Sequence, residues 1–298
     1  MSVGVVVILF NPDVEHVRSL IDAFCAPDWN VILVDNSPSP QQALLTTDVT
    51  YLHYPSNIGI AHAQNVGLKV LFNEGSDYAF LLDQDSLFSP DIAVELVRQF
   101  QDLEQRSPIA AIGPSIYCQF SECVDQGVLQ KGKQVSEKLK TVKQIIASGM
   151  LISKRAFERV GEKENELFID GVDHEWCWRA RAKGMVIYQS LSACMPHRQG
   201  DDRVKVCGVT FKQGAPIRLY YQFRNVLILA RRHYVPLYWK LRHVCAIPLR
   251  YLVNRYCFEQ GKTRGAFMWA GLKDGLKRKT GPIEHALIPK SSVKKSDT

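Results

Sequence analysis

Tyr78 to Pro90 reads YAFLLDQDSLFSP. An apolar and aromatic run, Tyr78 to Leu82, leads without alternation into two carboxylates, Asp83 and Asp85, with one glutamine between them. Such a run marks a strand covered on both faces, the pattern of parallel sheets. Ser89 and Pro90 then open a helix, because serine caps free N–H groups and proline is tolerated in the first turn. The segment is a buried strand that ends in negative charge and hands over to a helix.

The same grammar extends in both directions. VGVVVILFN (Val3–Asn11) and NVILVDNSP (Asn30–Pro38) are two further buried strands, and TYLHYP (Thr50–Pro55) is a short third. PDVEHVRSLIDAF places Val14, Val17, Leu20 and Ile21 at helical spacing, and NIGIAHAQNVGLKVLFNEG reads as a turn and a helix closed by Gly75. SPDIAVELVRQFQDLEQR is a helix and IAAIGPSIY a fifth strand. Strand and helix alternate, so the expected fold is α/β, a mostly parallel sheet with flanking helices.

Ligands of open sheets bind beyond the carboxyl ends of the strands. Three strands place polar groups there: Asn11, then Asp35 and Asn36, then Asp83 and Asp85. An acidic rim repels a bare phosphate but accepts one through a hard cation, and Mg²⁺ or Mn²⁺ suits carboxylates combined with phosphate oxygens. A Walker loop and a Gly-x-Gly-x-x-Gly after the first strand are both absent. The Asp-x-Asp therefore points to a metal-bridged nucleoside diphosphate. The competing reading is that Asp83 merely caps the following turn.

With 298 residues, 46% of them hydrophobic and 22% charged, the chain can bury a core. Its eight cysteines have no zinc spacing, so free thiols are expected. Met1 to Phe10 lacks the basic region and cleavage site of a signal peptide, and no run is apolar for the ~20 residues a membrane span needs. The net charge of +7 is uneven. Residues 231–298 carry 15 Lys and Arg against 4 Asp and Glu, leaving 22 against 26 for residues 1–230. The basic tail is interleaved with aromatics such as Tyr238, Trp239 and Trp269, which suits an anionic membrane surface or a nucleic acid. The alternative is a solvated helical extension. Pro236 is expected to open a helix, with Leu237, Leu241 and Val244 near one side, and Pro248 to kink or divide it.

Four stretches taken together, ILVDNSP, SNIGIAHAQNVGL, LLDQDS and FIDGVDHEWCWRARAKG, resemble family 2 glycosyltransferases of the GT-A fold. A fifth, YYQFRNVLILARR, is similar to a stretch of bacterial rhamnosyltransferases of O-antigen and surface-polysaccharide assembly. The resemblance covers about residues 1–232 and implies a catalytic domain over 1–212 with a helical, basic region over 213–298. It implies a donor site of Asn11, Asp35, Asn57, Gly59, Asn65, Asp83 and Arg198. Asp35 would bind the base, although an Asx turn explains it equally, and Gly59 and Gly67 also suit plain turn chemistry. Asp85 would contact the metal, with Asp83 and His197 beside it, though a lone histidine is often structural. Ser148, Gly149 and Glu175 would face the acceptor, although a strand approaching the rim closely explains the first two at least as well, and Glu175 is spaced to pair with Arg179 along a helix. Asp173, in the first turn of that helix, would be the catalytic base, or else an acid favouring the helix dipole.

The implied reaction is inverting transfer of L-rhamnose from dTDP-β-L-rhamnose to a saccharide, lipid-linked or free, on the inner face of a bacterial cytoplasmic membrane. Galactosyl or glucosyl donors are the alternative within the fold. The Gln-x-x-Arg-Trp of processive relatives is absent, which favours addition of single sugars. A nucleic-acid-binding protein is the alternative of another class, and the acidic rim argues against it, so no nucleic acid is expected. Ser121 to Gln144 is polar without clear period and reads as a loop over the acceptor or a surface excursion.

Overall fold

A computed structural model of the chain describes residues 2–24, 29–46, 49–118, 123–124, 132–197, 202–206 and 209–284. They form two compact units, Met1–Glu164 with Val172–Gln199, and Asn165–Gly171 with Gly200–Thr298.

The first unit runs β1 (Val3–Leu9), α1 (Val14–Ala23), β2 (Trp29–Asp35), β3 (Val49–His53), α2 (Ile60–Asn73), β4 (Tyr78–Asp83), α3 (Pro90–Glu104) and β5 (Ile109–Cys118). Then follow β6 (Cys123–Val124), β7 (Lys133–Ser136), β8 (Leu139–Val142), β9 (Met150–Ser153), α4 (Lys154–Val160), α5 (Val172–Ala182) and β10 (Val186–His197). The sheet order is β3-β2-β1-β4-β9-β5-β10-β8-β7, with β6 on β5. The β3-β2-β1-β4 half is parallel, as is β5 with β10. Between these parallel blocks β9 runs antiparallel to both β4 and β5. Most of the 121–144 stretch becomes strand where it is described, in β7 and β8, while 121–122 and 125–131 lie outside the described residues.

The unbroken apolar runs find their explanation in the two cores. Along β1, Val3, Val5, Val7 and Leu9 join the core under α1 and α3, while Val6 and Ile8 join the core under α2, α4 and α5. Both faces are covered, so no position is left for a polar residue. Each such side chain contributes about 1.5–3 kcal/mol by leaving water. Gly67, mid-helix in α2, is a packing glycine, because a Cβ there would meet Val6 Cγ1 at 2.3 Å. Ser89 accepts from Ile92 N–H and Pro90 occupies the first turn of α3, as expected.

The second unit holds the hairpin β11 (Asp202–Val206) and β12 (Val209–Gln213), then α6 (Pro216–Ala230), α7 (Leu237–Cys245), α8 (Ile247–Tyr256) and α9 (Gly261–Leu276). Pro236 caps α7, and Pro248 sits in the first turn of α8, dividing the two helices. α6 and α9 approach closely because Gly271 and Gly275 present no side chain: a Cβ at Gly271 would lie 2.3 Å from Tyr220 O. No helix among the described residues is long and apolar enough to cross a membrane.

The second unit begins at Gly200 and takes in Asn165–Gly171 as well. The reason lies in two residues of the YYQFRN stretch. Arg224, 0% exposed, donates to the carbonyls of Glu166, Leu167 and Gly281. Asn225 Nδ2 donates to those of Leu167, Ile169 and Asp170 at 2.8–3.0 Å. Asp170 is in turn paired with Arg218 at 2.8 Å.

Arg224→Met is therefore expected to destabilise the second unit. An orphaned buried carbonyl costs about 1–3 kcal/mol. An earlier calorimetric transition and faster amide exchange within 165–171 are the expected readings. A transition at the wild-type temperature would show that these carbonyls do not depend on Arg224.

Candidate active site

The carboxyl rim of the parallel strands is laced across by hydrogen bonds. Asn36 N–H reaches Leu9 O at 2.9 Å, Asn11 N–H reaches Ser37 Oγ at 2.8 Å, and Phe10 N–H reaches Gln84 Oε1 at 2.7 Å. The ends of β1, β2 and β4 are thus held as one edge. Asn11 itself is exposed and adopts φ 46°, a conformation asparagine tolerates well.

Asp35 is 0% exposed. Its Oδ1 accepts from Ser37 N–H at 2.8 Å, an Asx turn, and its Oδ2 accepts the Tyr51 hydroxyl. Burial and this bond push the Tyr51 phenol up to about 12, so it remains a neutral donor. Asn36 ties β2 to the next turn through Ile58 N–H and Gly59 O. Asn57 Oδ1 accepts from Gly59 N–H at 2.8 Å, and Gly59 takes φ 83°. Turn chemistry accounts for the Asp35 Oδ1 and Asn57 Oδ1 bonds, while Asp35 Oδ2 is held across the sheet by Tyr51.

Asp83 is the last residue of β4 and Asp85 sits on the turn that follows. Asp83 N–H donates to Ser86 Oγ at 3.0 Å, and Ser86 Oγ lies 2.6 Å from Ser148 Oγ. Ser148 is 1% exposed, so it braces this turn from beneath. Gly149, at φ 80°, donates to Leu81 O at 2.9 Å as the chain enters β9. Two residues earlier, Ala147 N–H donates to Asp173 Oδ2 at 3.0 Å. A continuous path therefore joins Asp173 through Ala147, Ser148 and Ser86 to Asp83.

Asp173 lies in the first turn of α5, with its side chain 24% exposed. Its Oδ1 accepts from Lys163 Nζ at 2.8 Å. Lys163 has a fully buried side chain. Asn65, 1% exposed, holds the Lys163 backbone from both sides: Oδ1 accepts its N–H and Nδ2 donates to its carbonyl, each at 2.8 Å. Glu175 is 0% exposed and pairs with Arg179 at 2.8 Å, the pairing its spacing predicts. Asn65 and Glu175, expected at the donor and the acceptor, are both engaged inside the framework, because the turns that carry them face the core.

Asp85 is exposed and makes no hydrogen bond or ion pair among the described residues. No group of three or more acidic, histidine or cysteine side chains that could cage a metal exists among the described residues. An open carboxylate beside a half-buried one fits a hard cation that shares its coordination with phosphate oxygens. Asp83 and Asp85 are the residues that would hold it. The His197 side chain and Arg198 lie outside the described residues.

The profile described as Glycosyl transferase family 2 matches residues 5–161, more than half of the chain. The dTDP-rhamnosyl transferase RfbF of Shigella flexneri is 30% identical over 255 residues, covering 82% of this chain and 84% of that protein. The chain belongs to glycosyl transferase family 2. This family 2 enzyme also matches the low-salt glycan biosynthesis hexosyltransferase Agl10 of Haloferax volcanii, at 22% identity over 95% of this chain and 93% of that one. Its fold resembles GalNAc-T7, solved with UDP, GalNAc and Mn²⁺, at TM-score 0.55 and 13% identity, over 93% of this chain but 56% of that one. It also resembles S. aureus TarS 1-349, at TM-score 0.50 and 12% identity, over 92% and 81%. The enzyme is a glycosyltransferase with a GT-A-like fold.

Sequence reasoning missed Lys163, Tyr51, Gln84 and Ser86. Lys163 stands between two glutamates in GEKEN, which reads as a solvated charge run. The serine was the findable one, since Asp-x-Asp-Ser is one turn and a hydroxyl there can cap a strand-end N–H.

Gly149→Ala is expected to destabilise by more than the ~0.4–1 kcal/mol that such a change gains at a compatible site, because φ is positive. The new Cβ would also lie 2.8 Å from Pro114 Cγ. Thermal denaturation and turnover should fall together. A variant as stable as wild type would show that the entry to β9 can relax without harm.

Proposed function

We propose that the protein is an inverting, metal-dependent rhamnosyltransferase that uses dTDP-β-L-rhamnose and extends a lipid-linked saccharide in bacterial surface-polysaccharide synthesis, at the inner face of the cytoplasmic membrane. The observation that carries the reading is the hydrogen-bonded path from Asp173 to the Asp83–Asp85 turn, which links a partly exposed carboxylate to a candidate diphosphate site. The donor rests on likeness to a dTDP-rhamnosyl transferase. A hexose donor is the second reading, favoured by the likeness to a hexosyltransferase.

In this mechanism Asp173 accepts the proton of an acceptor hydroxyl. The hydroxyl oxygen bonds to the anomeric carbon from the face opposite the diphosphate, and the bond to the diphosphate oxygen breaks with its electron pair. Inversion follows from that single displacement. Asp83 and Asp85 would hold Mg²⁺ or Mn²⁺, which when bound would supply Lewis-acid stabilisation of the charge on the leaving diphosphate. The acid pair would otherwise repel it. Asn11, Asn57 and Gly59 edge the donor side of the rim, with Asp35 behind them; His197 is the last residue of β10 and Arg198 is next in sequence.

The tail supplies a membrane contact in this reading. α7 buries no residue, and across α7 and α8 Leu237, Leu241, Val244, Leu249 and Leu252 are 38–69% exposed. These helices carry Lys240, Arg242 and Arg255 and no acidic residue. An apolar face edged by cations suits an anionic headgroup layer, each cation near it contributing about 1 kcal/mol.

Asp85→Ala should abolish transfer that a chelator also abolishes, with the fold intact by circular dichroism. Full activity in the variant, or indifference of the wild type to the chelator, removes the metal from the reading. Asp173→Asn should retain donor affinity by calorimetry and lose about 10²–10⁴-fold in turnover. If affinity and turnover fall together, Asp173 serves the fold. Donor choice is read by mass spectrometry of a synthetic lipid-linked acceptor with a panel of nucleotide sugars, and faster transfer from a UDP-hexose would replace rhamnose.

Flotation should show binding to anionic vesicles that weakens with salt and is lost in Leu241→Glu with Leu252→Glu. Equal behaviour with neutral vesicles would argue against the membrane contact.

A further inference from the structure

Lys163 is a charged side chain with no exposure at all. Moving an ammonium out of water costs several kcal/mol unless it is well paired. Its ion pair is with Asp173, at 2.8 Å. The neighbouring acid, Glu175, is committed to Arg179. The lysine cannot drift: Asn65 grips its backbone N–H and C=O, and its ammonium sits 5.9 Å from the ring centre of Trp176. Trp176 is itself 0% exposed and anchored by Nε1–H to Gly161 O at 2.9 Å.

The pair is asymmetric. The Coulomb attraction of an ion pair is strongest when both partners leave water, yet here the lysine is sealed and the carboxylate keeps 24% of its side chain open. Asp173 is held by donors from two different parts of the chain, Lys163 Nζ on Oδ1 and Ala147 N–H on Oδ2. Two donors on two oxygens fix both side-chain torsions. Each carboxylate oxygen has two lone-pair sites, so one site on each remains for a further donor. The arrangement fixes a carboxylate from behind and presents its open side outward.

From this we infer that Lys163 is a positioning residue for Asp173: it aims the carboxylate at the acceptor hydroxyl, and Asn65 sets its place. The inference rests on the reading of Asp173 as the proton acceptor. Misplacement of a reacting group by about 1 Å can cost of the order of 10²-fold in rate, so loss of the lysine should appear in kcat and not in donor binding.

The test is a double-mutant cycle on the full-length protein. Lys163→Met is compared with wild type, and Lys163→Met with Asp173→Asn is compared with Asp173→Asn alone. Turnover is read as dTDP released from dTDP-rhamnose, and binding as calorimetry with dTDP. Lys163→Met is expected to lower kcat by about 10–100-fold with dTDP affinity unchanged, and to cost nothing further once Asp173 is asparagine. Lys163→Arg should recover part of the loss, since it restores a cationic donor. If the methionine variant does not fold, Lys163→Gln takes its place in the same cycle. Wild-type kcat in the lysine variant overturns the inference, as does an equal loss in both backgrounds or a parallel loss of dTDP affinity. Full turnover in Asp173→Asn alone would instead bring down the reading of Asp173 as proton acceptor.

Discussion

The pairing of β9 between β4 and β5 is the constraint on which the rim depends. A strand inserted antiparallel into a parallel sheet starts where its neighbour ends. The residues before β9 are thus delivered to the carboxyl end of β4, with Gly149 N–H on Leu81 O. Ala147 and Ser148 follow from that placement, and with them the supports of Asp173 and of the Asp83–Ser86 turn. The side chains that meet there are far apart in sequence and come together through main-chain hydrogen bonding of a single short strand.

Within each unit several buried polar groups have two or more partners. Asp35 receives a backbone N–H and a phenol, and Arg224 and Asn225 each donate to three carbonyls, sharing that of Leu167. A half-satisfied network would cost more than an apolar core. Among the described side chains, few buried atoms lack a partner: His16 Nε2, Gln64 Oε1 and Gln99 Oε1. The polar lattice is thereby stiff, and Asp85 stands out against it as a carboxylate left to solvent.

The parallel half of the sheet was legible because doubly covered strands cannot alternate, so β1, β2 and β4 announce themselves as unbroken runs. The helices between them were legible from period and caps. β9 was not, since nothing local in GMLISKR says which strands it will join. At the site, the positions of Asp83, Asp85 and Asp173 were readable from motif order. The inward commitment of Asn65 and Glu175 was not, because each sits in a polar-looking stretch and only the third dimension decides which side faces the core. Arg224 and Asn225 could have been suspected from chemistry alone: a charge and an amide in the midst of an apolar helix need buried partners.

The loan of Asn165–Gly171 to the second unit has a practical consequence for engineering. The backbone passes between the two units three times, at 164/165, 171/172 and 199/200. Neither unit is a contiguous gene segment. Cutting after residue 199 would strip Arg224 and Asn225 from the carbonyls they serve, directly ahead of the helix that bears Asp173. Chimeras that exchange C-terminal regions between relatives should carry this seven-residue insert along with the tail. A crossover placed at the obvious linker would split a hydrogen-bonded set whose two halves have to come from the same parent.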